Sequence, residues 1–396
     1  MKLTVLGAGA IGSAVAYDLC SREEVTRVQI CDTRPNVVRL IRGWLDSPKV
    51  RCYQVNARDQ NTLESVIRGS DCVVACTPAE LYPGLSELAL NLGAHYCDLG
   101  GDHRNIQRQL AMNDLAEQRS RWIVPNCGFA PGLANLLCMR GLERFESVET
   151  AYLRVGDVPT ESEPPFNYRL AHAASKLIDS YTSPATILRH GEVAQVPPLS
   201  DVEPIDFGDL APELGPLEAF HASGLVSTLP EDLEGRVQTL DAKTVRYRGH
   251  AAQFGFLTAL GLAERKSIDV RTHLTYRDVL ARRLQSRLGG EYADTVLLRV
   301  QLEGIKDGRE QTLTYEMVER YDENTRLSAM RRCTAFPTAA IAVMLASRQI
   351  PGGGAAPPER VIPSDPLLED LRSRGMRIQS EWHEGWLSTR AEAVAA

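Results

Sequence analysis

Glycines at positions 7, 9 and 12 and an aspartate at position 32 are the first residues in this 396-residue chain whose spacing points to chemistry. A backbone bare of side chains at those three positions can bend sharply and admit a bulky anion. A carboxylate twenty residues beyond Gly12 can accept hydrogen bonds from sugar hydroxyls. Gly7 would permit the tight turn, Gly9 the approach of a pyrophosphate, and Gly12 the close packing of helix on strand. Ala10 and Ile11 would open the helix, whose N–H groups and positive dipole end face the phosphates. Asp32 would repel a phosphate on the adenosine 2′ position, which favours NAD over NADP. Arg34, two residues on, could neutralise such a phosphate and keeps NADP open.

The elements needed to hold these residues are legible around them. Leu3–Leu6 reads as a buried strand, Ala10–Cys20 as a helix, and Val28–Cys31 as a second strand ending at Asp32. Strand and helix go on alternating: strands at Val50–Val55, Asp71–Cys76, His95–Leu99 and Arg121–Val124, helices at Gln60–Arg68 and Leu81–Leu92. That alternation implies an α/β fold with a Rossmann-type, doubly wound parallel sheet, its ligand outside the carboxyl ends of the strands. Thr77 and Pro78, Asp98 and Asn126 all fall at such ends and are expected on the cofactor side. Asn126 and Gly128 are read as nicotinamide contacts, and Cys127 as packing.

Beyond Gly132 the pattern changes. A helix at Leu133–Glu143, a strand at Thr150–Val155, a Pro-rich loop at Val158–Phe166 and a helix from Tyr168 to about Tyr181 are expected. Two alternating runs, Thr295–Ile305 and Gln311–Tyr321, flank Lys306-Asp307-Gly308 and form a hairpin signal. The second domain is therefore expected to be α+β with a largely antiparallel sheet. An apolar helix at Phe336–Arg348 is expected to return to the first domain and make it discontinuous. The resulting division is 1–130 with 331–365 for the nucleotide-binding domain, 131–330 for the substrate-binding and dimerisation domain, and 366–396 for a tail.

Composition narrows the function classes. Hydrophobic residues make up 43% and charged residues 24%, which excludes extended disorder. A net charge of −7 argues against nucleic-acid and anionic-membrane partners. The longest apolar runs are about half a bilayer span. Nine scattered cysteines, Cys72 and Cys76 among them, suggest inert thiols in a reducing cytoplasm. No metal-ligand spacing occurs among the histidines, so no metal is expected.

Five further segments follow in order: Gly-Phe-Ala-Pro-Gly (128–132), Val-Gly-Asp-Val-Pro (155–159), Pro-Phe-Asn-Tyr-Arg (165–169), Lys-Thr-Val-Arg-Tyr-Arg-Gly-His (243–250) and Pro-Pro-Glu (357–359). With the glycine motif, this ordered set resembles the saccharopine dehydrogenase-like family over residues 1 to about 362. Within that family the likeness is greatest to lysine 6-dehydrogenases. The resemblance implies oxidation of the lysine ε-amine with NAD, a small amino-acid substrate, and a homodimer or higher homo-oligomer. Ala130 and Val155 stand where glutamate-forming saccharopine reductases typically carry Asp and Cys, which counts against a tricarboxylic substrate.

Oxidising an amine requires that it first lose its proton, and an α-carboxylate needs a cationic clamp. The resemblance places Arg246 at that carboxylate, with Arg169, Tyr168 and Lys243 as further substrate-binding candidates. Strand alternation puts Lys243 on the face opposite Arg246. Asp98 and His250 are the expected catalytic proton acceptors; the bland reading of Asp98 is a turn cap, and of His250 a satisfied structural residue. Glu80 and Asp102 are loop acids that could read the α-ammonium. Two other functions remain open: an NADP-dependent reductase of saccharopine or carboxynorspermidine type, and a non-catalytic nucleotide-binding regulator.

Overall fold

A computed structural model describes residues 1–171, 173–269 and 273–387. The strands run β1 (Lys2–Leu6), β2 (Arg27–Asp32), β3 (Val50–Gln54), β4 (Cys72–Ala75), β5 (His95–Asp98), β6 (Trp122–Val124), β7 (Ser147–Pro159) and β8 (Ala185–Arg189). They continue with β9 (Glu192–Val196), β10 (Glu203–Ile205), β11 (Leu217–His221), β12 (Thr239–Tyr247), β13 (Asp294–Lys306), β14 (Arg309–Arg320), β15 (Gly354–Ala355) and β16 (Gln379–Glu384). The chain divides into two compact units, Met1–Leu137 with Arg331–Met376, and Cys138–Met330 with the residues from Arg377 on.

The first unit contains a seven-stranded sheet in the order β15-β6-β5-β4-β1-β2-β3, and every neighbouring pair is parallel. Parallel pairing requires a crossover after each strand, and the helices that supply it are amphipathic. In the helix Tyr82–Asn91, residues Tyr82, Leu85, Ser86, Ala89 and Leu90 are buried. Their i, i+3, i+4, i+7, i+8 spacing makes one stripe, which joins Val73, Tyr96 and Ile123 in the core. Each large apolar side chain so buried contributes about 1.5–3 kcal/mol.

The stretch expected as an independent tail is divided instead. The helix Ser364–Ser373 belongs to the first unit: Arg22, just past the helix Ala10–Ser21, bonds Asp18 at 2.7 Å and both oxygens of Asp370 at 2.8 Å. Residues 379–384 form β16, an edge strand of the second unit, and residues 388–396 lie outside the described residues.

The second unit is built on a nine-stranded mixed sheet, β10-β11-β12-β7-β13-β14-β16, with β8 pairing β12 and β9. Only β12 and β7 run parallel; the other pairs are antiparallel. The hairpin joining β13 to β14 turns at Asp307 and Gly308, whose φ values of 51° and 69° suit the right-handed strand twist. The helix expected from Tyr168 begins at Ala174 instead. Phe166 and Asn167 adopt left-handed φ values of 72° and 48°, and the Leu170 N–H is drawn to the Leu288 carbonyl, so no helical turn can start there. Among the described residues, no helix is long and apolar enough to cross a membrane.

Candidate active site

The turn after β1 is shaped by what its glycines exclude. Gly7 has φ 94°, and a Cβ there would lie 2.4 Å from the Cys76 carbonyl oxygen. A Cβ on Gly12 would lie 1.8 Å from the Gly7 carbonyl oxygen, so helix and turn touch through backbone alone. Gly9 differs: a Cβ there would meet nothing within 4 Å. It also serves as N-cap of the helix Ala10–Ser21 without a side-chain cap, which leaves the first N–H groups of that helix without a capping acceptor. Thr77, beyond the end of β4, has a buried hydroxyl with no partner. Open room at Gly9, uncapped helix N–H groups and an orphaned hydroxyl fit a dinucleotide's phosphates.

Asp32 closes β2. Its Oδ2 accepts the Ala8 N–H at 2.9 Å, and its Oδ1 accepts the Arg34 N–H and Nε–H, each at 2.9 Å. Burial works to raise the Asp32 pKa. The Arg34 side chain and the two backbone donors outweigh it and hold the carboxyl below its ordinary value. An ionised acceptor therefore stands at the end of β2, with a 59%-exposed guanidinium beside it. Pro78 precedes the short 3₁₀ turn Ala79–Leu81. Asn126 adopts φ 65° in the loop after β6.

Asp98, expected as a proton acceptor, is fully buried and fully occupied. Its Oδ1 accepts the N–H groups of Gly100 at 2.8 Å and Asn126 at 3.3 Å, and its Oδ2 accepts the Gln109 amide at 2.7 Å. The carboxylate thus ties the ends of two strands to a helix, so its geometry is that of the turn cap. Gln109, on the helix His103–Leu110, carries no sequence signal for this role. Burial pushes the Asp98 pKa up to about 6, partly offset by these three donors.

Because that value exceeds the ordinary one, the folded state binds this proton more tightly between about pH 4 and 6. Stability is then fullest below that window and falls as pH rises through it, by about 3 kcal/mol in all. Asp98→Asn is expected to remove this slope. The Gln109 amide can turn over and present its otherwise unpartnered Oε1 to the new NH2. Urea unfolding of the two proteins at pH 4.5 and 7.5 checks this: equal pH dependence would mean that Asp98 does not titrate as the fold implies.

In the second unit, the expected substrate residues separate into two groups. Lys243 donates to Glu203 at 2.7 Å and lies within a network that joins Arg154, Asp241 and His221. Its cation is consumed inside the fold, away from Arg246, as alternation along β12 requires. The ammonium of Lys243, expected to meet a substrate, is engaged by Glu203 here.

Arg246, Tyr168 and His250 come together. The Arg246 guanidinium is 4.8 Å from the centre of the Tyr168 ring and 3.2 Å from Asp157 Oδ1, and its Nη1 also donates to the carbonyls of Asp157 and Val245. Only its buried Nε lacks a partner. Burial disfavours the Arg246 charge, but Tyr181, Asp157 and Tyr168 outweigh it and keep the group protonated. Arg246, expected as a carboxylate clamp, is thus paired with an internal carboxylate, Asp157.

His250 begins the helix His250–Ala259, whose first N–H groups include two that bond to Glu218: Gly249 at 2.8 Å and Ala251 at 2.7 Å. Gly249 is required there, with φ 95°. The imidazole is 1% exposed among Phe166, Tyr168, Tyr181, Phe220 and Phe254. Burial and then the Arg246 charge pull its pKa down to about 3. Its Nδ1 lies 3.2 Å from the Phe166 carbonyl, which can only accept, so Nδ1 carries the proton. Nε2 then accepts from the Tyr181 hydroxyl, also at 3.2 Å. At His250, expected as a proton relay, both ring nitrogens are engaged, one with a loop carbonyl and one with a tyrosine.

That loop borders a cavity of about 200 Å³ lined by Glu163, the two prolines that follow, Tyr168, Arg169, Arg287 and Leu288. Arg169 pairs with Glu163 at 2.9 Å. Tyr181 and Arg287 had no motif to announce them, and Asp157, although inside the Val-Gly-Asp-Val-Pro segment, gave no sign there of its pairing with Arg246. Glu80 pairs with Arg58, and Asp102 caps the helix His103–Leu110. Among the described residues, no group of three or more acids, histidines or cysteines is placed to hold a metal.

A glycine-turned parallel sheet ending in an acid, coupled in one chain to a mixed sheet, defines a Rossmann-type nucleotide-binding oxidoreductase. The chain belongs to the saccharopine dehydrogenase family: the family's NADP binding domain matches residues 3–123 and its C-terminal domain matches residues 128–376. Among solved structures, apo histidine-tagged saccharopine dehydrogenase (L-Glu forming) from Saccharomyces cerevisiae is similar over 96% of this chain and 99% of its own, with TM-score 0.79 and 15% identity. Homospermidine synthase from Legionella pneumophila, in complex with NAD, is similar over 96% and 91%, with TM-score 0.69 and 13% identity. At such identities the likeness establishes the fold.

Proposed function

We propose that this oxidoreductase is an NAD-dependent amine dehydrogenase that oxidises the ε-amine of lysine. The carbon bearing the amine loses a hydride and the nitrogen a proton. Water adds to the resulting imine, giving 2-aminoadipate 6-semialdehyde, which cyclises, and ammonia. Bound nicotinamide would accept the hydride. The chain's own contribution is to hold the phosphates at Gly9, Ala10, Ile11 and Thr77, and the ribose at Asp32. Tyr168 and Arg169, backed by the Arg246 charge, would bind the amino-acid end.

The observation that carries the reading is the ionised Asp32 carboxylate beside the open Gly9 turn, which supports NAD. Lysine as substrate draws on the family resemblance and on Ala130 and Val155, neither of which offers a polar side chain to a larger substrate. An NADP-dependent reductase is the second reading, favoured by the exposed Arg34 guanidinium and by the description of the matching family domain.

Assay at alkaline pH with NAD or NADP and lysine, ornithine, putrescine or saccharopine separates them. Lysine turnover with NAD supports the first reading, and saccharopine turnover with NADP the second. Nucleotide binding with no turnover supports the regulator. Activity on lysine should climb toward the free-amine pKa of about 10.4, because only the neutral amine can release hydride. Asp32→Ser is expected to shift the NAD-to-NADP preference about 10- to 100-fold toward NADP, or about 1.4–2.8 kcal/mol. An unchanged ratio of kcat/KM values would place ribose recognition elsewhere.

A further inference from the structure

We propose that the cavity beside Tyr168 in the second unit is a recognition site for a free α-amino acid, with Arg287 taking the carboxylate and Glu163 the ammonium. This rests on the amino-acid reading above and gives it a location.

Three observations carry it. First, Arg287, in the last turn of the helix Tyr276–Leu288, lines the cavity, and no hydrogen bond or ion pair within the described residues engages its guanidinium. A planar guanidinium left free at a cavity wall is matched to a carboxylate, which it can bind through two parallel bonds. An exposed arginine in open solvent is an ordinary surface feature; one that shares a cavity with a paired Arg169 and Glu163 is not. Second, the cavity presents both signs of charge in a mainly polar lining. Glu163 is positioned by its 2.9 Å bond to Arg169, and Leu288 and Tyr168 also border the space. A zwitterion needs such a pairing, whereas a simple anion would be repelled by Glu163. At about 200 Å³ the space suits an amino acid and falls below the roughly 300–1,000 Å³ of sites for larger ligands.

Third, the wall is set in advance. Phe166 and Asn167 hold consecutive left-handed conformations, costly for a bulky aromatic residue. That turn is held by the Asn167 N–H to the Glu163 carbonyl at 3.1 Å and by His250 Nδ1–H to the Phe166 carbonyl. The Phe166 ring is seated 4.8 Å from that of Phe254. A strained segment fixed from behind by a buried imidazole keeps the cavity open before any ligand arrives.

Equilibrium dialysis with radiolabelled L-lysine, without nicotinamide, tests the site in the full-length protein. Arg287 is exposed, so Arg287→Met should fold normally, which circular dichroism verifies. Wild type should bind lysine. Binding should weaken about tenfold or more in Arg287→Met and in Glu163→Gln, with partial recovery in Arg287→Lys. 6-Aminohexanoate, lacking the α-amine, and cadaverine, lacking the carboxylate, should compete poorly.

Turnover measured in parallel separates the two readings. If lysine is oxidised with the same KM by wild type and Arg287→Met, the cavity assignment falls and the lysine reading stands. If lysine binds in an Arg287-dependent way but is not oxidised, the assignment stands and the lysine reading falls. Neither binding nor oxidation overturns both.

Discussion

Replacing Arg246 by methionine is expected to destabilise the second unit by about 3–5 kcal/mol, the usual consequence of leaving one member of a buried ion pair without its partner. Arg246 is 8% exposed and Asp157 3% exposed. Asp157 Oδ2 already lacks a hydrogen-bond partner, so losing the guanidinium strands a carboxylate with little else to solvate it. The Tyr168 ring loses its cation at the same time. A second substitution provides the control. Adding Asp157→Leu to Arg246→Met removes both charges together, and the double variant should recover most of the loss, since a well-packed apolar pair often matches a buried ionic one. Urea unfolding of the four proteins of this cycle measures the coupling. A single variant within about 0.5 kcal/mol of wild type would show that water reaches the pair freely.

The second large effect separates two glycines three residues apart. Gly12→Ala places a Cβ 1.8 Å from the Gly7 carbonyl oxygen, a distance no side chain movement relieves because both atoms belong to the backbone frame. Helix and turn must move apart, so loss of dinucleotide binding and a drop of several kcal/mol in the stability of the first unit are expected. Gly9→Ala meets nothing within 4 Å, and the residue's φ of −72° suits alanine. Its unfolding midpoint should stay at the wild-type value while affinity for NAD falls about tenfold or more, because the new methyl occupies the phosphates' approach. Fluorescence titration with reduced nicotinamide, alongside thermal unfolding, distinguishes them. Equal affinity in Gly9→Ala and wild type would remove the phosphates from this turn.

Much of the first unit was legible because its constraints are local. A turn that excludes Cβ atoms needs glycine at set positions, and buried parallel strands need short apolar runs. The helix Pro35–Leu45 is a different case: its apolar Val37, Val38, Ile41, Trp44 and Leu45 lie at helical spacing, but Ile41 alone is fully buried and Gly43 interrupts the run. In the second unit β12 is the strand that the alternation of Lys243 and Arg246 implied. Lys243 and Arg246 interrupt its apolar run, yet both are buried, each neutralised by acids distant in sequence. The candidate site was legible only in part. Tyr168, Arg246 and His250 do meet, but what each does is decided by Asp157, Tyr181 and the Phe166 carbonyl, which no spacing rule connects to them. Asp98 shows the same limit, since an acid at a strand end looks identical on paper whether its oxygens are free or taken.

The order in which the sheets gain their strands bears on how this polypeptide is made. The parallel sheet of the first unit receives β15 from residues 354–355, although its other six strands lie within the first 124 residues. The inserted sheet has all its strands but β16 by residue 320. On the ribosome, the inserted body therefore approaches completion first, while the edge of β6 waits, unpaired and open to nascent neighbours, for a segment translated some 230 residues later. Factors that shield exposed strand edges during translation should matter more to the yield of this protein than to that of a dinucleotide-binding fold written in one continuous stretch.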